Sequence, residues 1–321
     1  MYKRAHLKIA GKRDTKEQEK KGKMIRSELC VYQTLRTIDL PVDVDTPDLM
    51  SFPFYLHIGS FRLHPHLVFE TLAYFAAFRV YLWLRKRTGD AIDDADRWWI
   101  IAAAAFGAAL GSKLLNWFED PRLTLQHLSD LTSLLAGKTI VGGLIGGLFA
   151  VEWAKKRLGI SSRTGDLFAL PLCVGIAIGR IGCFLTGLDD HTYGIRTTLP
   201  WGVNFGDGIA RHPTQLYEML FVMPLGVFLW RRMQKPYTEG DIFKFFMVAY
   251  FAFRVLCDFL KPDVRFGGLS AIQWASLAML LYYGKDVWGW VRTTKSRALA
   301  EFADRVGTTT ASGKQHLAGR P

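Results

Sequence analysis

The feature that most constrains this sequence is a series of seven long apolar segments separated by short polar links. An α-helix needs about 20 mainly apolar residues to cross a bilayer, and the segments approach or reach that length. The pattern predicts an all-α fold, namely a polytopic integral membrane protein with seven transmembrane helices. The predicted spans are residues 66–84, 98–118, 139–154, 167–186, 213–230, 242–260 and 270–290.

A large soluble helical core is the alternative to a membrane bundle. Seven apolar segments joined by short polar links argue against it, although several segments contain a charged residue. The mean hydropathy of +0.10 conceals this pattern because both ends of the chain are polar. With 50% hydrophobic residues the chain is too apolar to be disordered. The composition therefore favours a membrane protein.

The Lys and Arg residues of the links predict the orientation, because cytoplasmic links of membrane proteins are enriched in them. The links after spans one, three and five contain eleven basic residues, whereas those after spans two, four and six contain six. The tail after span seven adds six more. We therefore expect the N-terminus outside and the C-terminus in the cytoplasm.

The sequence divides into a polar N-terminal extension over 1–49, a membrane domain over 50–291 and a basic cytoplasmic tail over 292–321. Nine basic and three acidic residues lie within the first 23 positions. The predicted topology would place them outside, against the charge rule, and no apolar signal segment precedes them. We predict that translation starts at Met24 or Met50; the alternative is a genuine disordered extension.

The net charge and the cysteines exclude two classes of protein. Half of the formal net charge of +12 lies in the first 23 residues, so it does not indicate a nucleic-acid-binding face. The four cysteines are too few and too scattered for a disulfide framework, and no CxxC pair indicates zinc. We predict no metal site, no cofactor and no nucleic-acid partner.

Six of the charged residues inside the predicted spans lie between mid-membrane and the outer surface. A charge at the bilayer centre costs on the order of 3 kcal/mol or more, so each is a functional candidate. Two arginines suit a phosphate, because guanidinium is always charged and offers a planar fork of donors. The alternative is a set of buried ion pairs that stabilises the bundle. The six residues are Glu70, Lys113, Arg180, Glu218, Arg254 and Asp258.

Two polar stretches are the most specific motifs of the sequence. GRIGCFLTG places Arg180 and Gly182 where the fourth span leaves the membrane. RHPTQLYE begins the fifth span, with a proline suited to the first turn of a helix. It brings His212 and Glu218 to the outer mouth of the bundle.

Glycines in the third span have two interpretations. Gly142 and Gly143 lie near the outer end, where they could let a lipid headgroup approach the backbone. Small residues at this spacing more often reflect close helix packing. The sequence alone leaves both interpretations open.

Together these residues resemble the prolipoprotein diacylglyceryl transferase family of bacterial inner membranes. The resemblance runs from about residue 67 to 283 and keeps its motifs in order: GGLIG, GRIGCFLTG, LPWGVNF, RHPTQLYE, YFAFRVLCDFLKPD and GLSAIQW. It implies seven spans in a multi-pass inner-membrane protein. It also implies transfer of diacylglycerol from phosphatidylglycerol to the lipobox cysteine thiol next to a prolipoprotein signal peptide.

The resemblance also implies roles for individual residues. The phosphate-handling arginine of the family falls on Arg180, and its second essential arginine falls on Arg254, with Tyr250 four residues earlier. The histidine of the RHP motif is His212, and an acidic residue one turn after the second arginine is Asp258. These residues form the predicted catalytic and phospholipid-binding site.

Several positions depart from the family pattern. Val141 stands where the family usually has histidine, and Cys183, Thr186 and Leu188 stand where its signature has two asparagines and a glutamate. Lys113 replaces an arginine of the second span. The phosphate site is kept and the hydrogen-bonding groups around it are changed, which indicates a diverged member. Glu70 beside Phe69 could compensate Lys113.

The implied chemistry is displacement at a glycerol carbon, with glycerol phosphate leaving. Arg180 and Arg254 would stabilise the departing phosphate. His212 is the predicted base for the attacking thiol, because its ordinary pKa of about 6.5 suits proton transfer; Glu70 and Asp258 are the other candidates. Two alternatives remain: a membrane transferase with the same lipid donor and another nucleophile, and a non-enzymatic phospholipid-binding protein.

Overall fold

A computed structural model describes residues 52–58, 61–131, 134 and 137–293 of the chain. The predicted extension over 1–49, with its alternative start sites, lies outside the described residues. So does most of the predicted cytoplasmic tail, from residue 294 onward.

Helices make up most of the described chain, so the all-α prediction is confirmed. Each of the seven predicted segments is helical, and the last continues as a helix over 284–293 after a short break. Short 3-10 turns follow α5 and α7, at Gly187–Asp190 and Asp258–Leu260. The helices are α1 (Pro65–Thr88), α2 (Asp94–Glu119), α3 (Pro121–Gln126), α4 (Ile140–Leu158), α5 (Asp166–Thr186), α6 (Thr214–Met233), α7 (Asp241–Cys257) and α8 (Ala271–Tyr282).

Three helical segments of the described chain are long and apolar enough to cross a membrane. They are α1, α2 and the segment formed by α5 with its 3-10 turn. The side chains also follow the arrangement expected in lipid, with apolar groups outside and charges inside. Leu281 is 82% exposed and Phe106 is 73% exposed, whereas Glu218 and Arg254 are each 2% exposed. Large exposed apolar surfaces mark sites of contact with other molecules or with membranes.

Local sequence explains where several helices begin and end. Pro65 occupies the first turn of α1, where its missing N–H is no loss. Gly89 ends that helix with a φ of 79°, a conformation that favours glycine. The Thr139 hydroxyl accepts a hydrogen bond from the backbone N–H of Gly142, and Ser270 and Gln273 form a capping box at the start of α8.

Short antiparallel ribbons occupy the links between helices. β1 (Leu56–Ile58) pairs with β2 (Phe61–Leu63) before α1. β3 (Val203–Asn204) pairs with β4 (Ala210–Arg211) between α5 and α6, and β5 (Arg265–Phe266) pairs with β6 (Leu269–Ser270) between α7 and α8.

Backbone hydrogen bonds tie the link before α6 to the end of α7. The N–H of Ile195 donates to the carbonyl oxygen of Leu260 at 2.7 Å. The N–H of His212 donates to the carbonyl oxygen of Ile195 at 3.1 Å. The residues that follow α5 are therefore held against the same end of the bundle as the start of α6.

Glycines allow α2 and α4 to pack with their backbones in contact. A Cβ at Gly142 would overlap the carbonyl oxygen of Gly111, and a Cβ at Gly146 would overlap that of Gly107. Small residues four apart on two helices permit this close approach. The packing interpretation of Gly142 is therefore confirmed, because its Cα faces α2.

We expect Gly146→Ala to destabilise this helix pair by about 1–3 kcal/mol, because the new methyl group overpacks the contact. The thermal unfolding midpoint of the purified protein in detergent measures the effect. Gly147→Ala is the matched control, since the nearest atom to its Cβ would be the Ala104 carbonyl oxygen at 3.5 Å, an ordinary contact. Equal midpoints for the two variants would contradict the packing account.

Candidate active site

Three helices bring one carboxylate and two guanidinium groups together inside the bundle. Arg180 lies on α5, Glu218 on α6 and Arg254 on α7. Nη2 of Arg180 donates to Oε2 of Glu218 at 2.8 Å, and Nη1 of Arg254 lies 3.5 Å from the same oxygen. All three side chains are buried. A single carboxylate therefore bridges both arginines.

Two further buried groups from the end of α7 complete this arginine cluster. The hydroxyl of Tyr250 donates to Oε1 of Glu218 at 2.6 Å. Nη2 of Arg254 donates to Oδ1 of Asp258 at 2.8 Å. Tyr250, Arg254 and Asp258 are spaced four apart, so they share one face of the helix and its 3-10 extension. The sequence predicted this face, and the structure brings four of the six predicted charges into contact along it.

The arginine cluster balances in formal charge but not in hydrogen bonds. Two guanidinium groups face two carboxylates, which offsets the cost of burying each charge. The Nε atoms of both Arg180 and Arg254 are nevertheless buried without a hydrogen-bond partner. An unpaired buried donor costs roughly 1–3 kcal/mol. The cluster thus retains two donors suited to a further oxygen ligand.

Glu70 belongs to a second polar group, at the start of α1. Its Oε2 lies 3.4 Å from Nε2 of His66, and its Oε1 pairs with Lys138 and accepts a hydrogen bond from the Tyr74 hydroxyl. Lys113 donates to the carbonyl oxygen of Gly137, next to Lys138 in the chain. The structure therefore brings Lys138 to Glu70, a partner that the sequence analysis did not single out.

His66 connects this second group with the end of α5. Its Nδ1 lies 2.7 Å from Oδ1 of Asp190, in the 3-10 turn that follows α5. A ring nitrogen of His66, a carboxylate oxygen of Asp190 and the sulfur of Cys183 all lie within 4.8 Å of one another. Nη1 of Arg180 donates to that sulfur at 3.7 Å. Cys183 therefore lies between the arginine cluster and the histidine.

Gly182 allows this juxtaposition. A Cβ at this position would come within 2.8 Å of the Phe69 Cβ and 3.4 Å of the His66 Cα. Only glycine therefore lets α1 approach α5 closely enough to place His66 beside Cys183. The predicted role of Gly182 in substrate binding is not tested, whereas its role in packing is evident.

His212, the predicted base, lies in the link before α6, which backbone hydrogen bonds tie to the segment that follows α7. Its Nδ1 lies 3.0 Å from the hydroxyl of Tyr217, and that hydroxyl accepts a hydrogen bond from Nε1 of Trp201 at 2.9 Å. The residue is partly buried, and its role as base stays a prediction. Gly143 lines a separate cavity together with Lys155 and Lys244, away from the arginine cluster.

The family's usual histidine position is apolar in this chain. Val141 is fully buried in the main hydrophobic cluster. Thr186, at a usual asparagine position, donates its hydroxyl to the Gly182 carbonyl at 2.8 Å. Neither residue offers a free polar group to a ligand. The structure instead supplies polar groups from His66 and Asp190, which the sequence analysis missed because no local motif marks them.

The segment after α7 adds a buried lysine and a half-buried aspartate that the sequence analysis did not single out. Lys261 is buried beside the 3-10 turn. Burial raises the pKa of the Asp263 carboxyl above its usual value, although the nearby charge of Lys261 opposes that change. Both residues belong to the KPD stretch of the sequence.

Comparison with known proteins identifies relatives over most of the chain. Residues 53–284 match the sequence profile of prolipoprotein diacylglyceryl transferase. Proteins named phosphatidylglycerol--prolipoprotein diacylglyceryl transferase are among the relatives. That of Methylobacillus flagellatus is 32% identical over 71% of this chain and 92% of its own length. Those of Cupriavidus metallidurans and Polynucleobacter asymbioticus are 31% and 34% identical, over 77% and 71% of this chain and 97% and 92% of their own lengths.

We expect Glu218→Gln to lower the free energy of unfolding by about 3–5 kcal/mol, because it leaves two buried guanidinium groups with one carboxylate. Thermal unfolding in detergent measures the loss. Glu152→Gln is the control: its side chain is 54% exposed and pairs with Lys155, so its cost should stay below about 1 kcal/mol. An unchanged midpoint in Glu218→Gln would contradict the bridging role.

Proposed function

The chain belongs to the prolipoprotein diacylglyceryl transferase family, and we propose that it transfers diacylglycerol from phosphatidylglycerol to the cysteine thiol of a prolipoprotein lipobox. The relatives that carry this name match 71–77% of the chain and 92–97% of their own lengths. The family match also covers α1 through α8. The activity is therefore that of a transferase in lipoprotein biosynthesis.

The proposed setting is the bacterial inner membrane, crossed seven times with the N-terminus outside. The three longest apolar segments and the exposed apolar side chains support a membrane location. The excess of Lys and Arg in alternate links supports the orientation. In this orientation the arginine cluster faces the outer leaflet, where phospholipid headgroups and exported prolipoproteins meet.

The observation that carries the proposed site is the pair of buried arginines bridged by one glutamate. Each guanidinium keeps a buried Nε–H without a partner, and a phosphodiester oxygen is a strong acceptor for such a donor. Donors that are fixed before the reaction stabilise a developing charge without reorganisation. Glu218 and Tyr250 hold Arg180 and Arg254 in place for this task.

The proposed step is a displacement at a glycerol carbon of phosphatidylglycerol. The acceptor sulfur forms a bond to that carbon, and the bond from the carbon to the phosphate oxygen breaks. The electron pair leaves with glycerol phosphate, whose new charge is stabilised by Arg180 and Arg254. The thiol proton, lost before or during attack, goes to the surrounding water through a base, for which His212 stays the prediction.

We expect Arg180→Lys to lose most of the turnover while remaining folded, because lysine keeps the charge opposite Glu218 but lacks the guanidinium fork. The assay mixes purified protein, labelled phosphatidylglycerol and a lipobox peptide, and follows lipid consumption, lipopeptide formation and the unfolding midpoint on the same samples. Arg196→Lys, an exposed arginine of the link before α6, is the matched control.

The outcomes of this assay separate the possible functions. Full turnover in Arg180→Lys would overturn the assigned site. Equal losses of stability and turnover would favour a purely structural arginine. Consumption of phosphatidylglycerol without a lipopeptide would indicate another acceptor, and lipid binding without consumption would indicate a non-enzymatic protein.

We expect a cysteine introduced at Thr198 to react with a membrane-impermeant reagent in intact cells, and one at Ser161 to react only after the inner face is opened. Both positions are exposed and lie in links of opposite predicted sides. Cys30 is replaced by serine in the background, while the other three cysteines are buried. The reverse labelling pattern would contradict the proposed orientation.

A further inference from the structure

His66, Cys183 and Asp190 form a compact group of three different ligand types at the end of α5. Their nitrogen, sulfur and oxygen atoms all lie within 4.8 Å of one another. Nδ1 of His66 is buried and makes no hydrogen bond of acceptable geometry, although Oδ1 of Asp190 is only 2.7 Å away. The histidine nitrogen thus lies beside the carboxylate with its hydrogen-bonding capacity unused.

Neighbouring polar groups hold His66 and Asp190 in position. Oε2 of Glu70 lies 3.4 Å from the other ring nitrogen of His66. Thr192 donates its hydroxyl to the second oxygen of Asp190 at 2.7 Å, and Gln215 in turn donates to Thr192 at 3.1 Å. Metal-binding histidines almost always donate the opposite N–H to a carboxylate, a backbone carbonyl or water, and binding carboxylates are themselves hydrogen-bonded.

We propose that His66, Cys183 and Asp190 bind a zinc-class divalent cation with one coordination position open. Zinc accepts thiolate, imidazole and carboxylate together, and three protein ligands with a free fourth position are typical of catalytic rather than structural sites. No local motif such as CxxC marks these ligands, so the sequence predicted no metal. These three come from α1, from α5 and from the 3-10 turn beyond it.

The His66–Asp190 pair needs little adjustment to hold the ion. With Zn–N and Zn–O bonds of about 2.0–2.2 Å and a Zn–S bond of about 2.3 Å, tetrahedral ligand atoms lie about 3.3–3.6 Å apart. His66 and Asp190, 2.7 Å apart, would separate by only about 0.6 Å. Gly182 already gives α1 the close approach to α5 that the site requires.

The alternative use of Cys183, as a nucleophile activated by His66, fits the chemistry poorly. Attack by its thiolate on the glycerol carbon would release glycerol phosphate and leave diacylglycerol on Cys183 as a thioether. A thioether sulfur is a poor leaving group, so the lipid could not pass to a second thiol. Cys183 is therefore better suited to bind an ion than to carry the lipid.

The role of the ion rests on the proposed function. The acceptor thiol would take the open position and lose its proton to water, since a metal-bound thiol is deprotonated. Its sulfur would then form the bond to the glycerol carbon as the carbon–oxygen bond breaks toward Arg180. Nη1 of Arg180 lies 3.7 Å from the Cys183 sulfur, so nucleophile and leaving group would meet at adjacent sites.

Cobalt titration of the purified full-length protein in detergent, after chelator treatment, tests the site directly. Cobalt(II) bound to a thiolate absorbs by sulfur-to-metal charge transfer, and zinc should displace it. We expect one equivalent to produce this band in the wild type, in Cys173→Ser and in Cys257→Ser, and no band in Cys183→Ser. Glu70→Gln should weaken cobalt affinity about 10–100-fold.

The outcomes distinguish this site from the proposed function. The absence of the charge-transfer band in the wild type, or a band of equal strength in Cys183→Ser, would overturn the site. If Cys183→Ser does not fold, an unchanged cobalt affinity in Glu70→Gln would overturn it. Cobalt binding without phosphatidylglycerol consumption would contradict the transferase and leave the metal site standing. Turnover that persists after removal of all bound metal would overturn the role of the ion and leave the transferase standing.

Discussion

The carboxylate of Glu218, held between two buried arginines, is the interaction on which this structure depends. Removing charges from water is expensive, and the expense is offset only when opposite charges meet with good geometry. Here α5 supplies Arg180, α6 supplies Glu218 and α7 supplies Arg254, so the charges can be satisfied only if the three helices assemble in register. The same contact fixes the guanidinium groups where the proposed reaction needs them, and folding and catalysis therefore share one constraint.

The end of α5 joins the two halves of the proposed site. Arg180 belongs to the arginine cluster, while Cys183, almost one turn later, lies beside His66 and Asp190. Gly182 lies between them and lets α1 pack closely. The short signature GRIGC thus places the proposed phosphate-binding arginine and a thiol on one helix end, with glycine in between. The departure from the family at Cys183 coincides with the histidine and aspartate that approach it.

Much of the fold could be predicted because the signals are local. Helical spans depend on the length of apolar runs, and the pairing of Arg254 with Asp258 depends on their spacing of four. His66 and Asp190 carry no such signal: His66 lies in the first turn of α1 next to a proline, and Asp190 lies in a 3-10 turn. Their proximity results from the packing of α1 against α5. For that reason the sequence did not mark His66 and Asp190 as candidate metal ligands. Lys138 pairs with Glu70 through the same kind of contact between residues far apart in the chain.

The central claim is that this chain performs the family's transfer at the arginine cluster. Its most direct test is the complementation of a bacterial strain depleted of its own diacylglyceryl transferase, with growth and prolipoprotein lipidation as the measured outcomes. The account predicts that the wild-type chain restores both and that Arg180→Ala, present in the membrane at equal amount, restores neither. A wild-type chain that reaches the membrane without restoring lipidation, or an Arg180→Ala chain that restores it fully, would contradict the account.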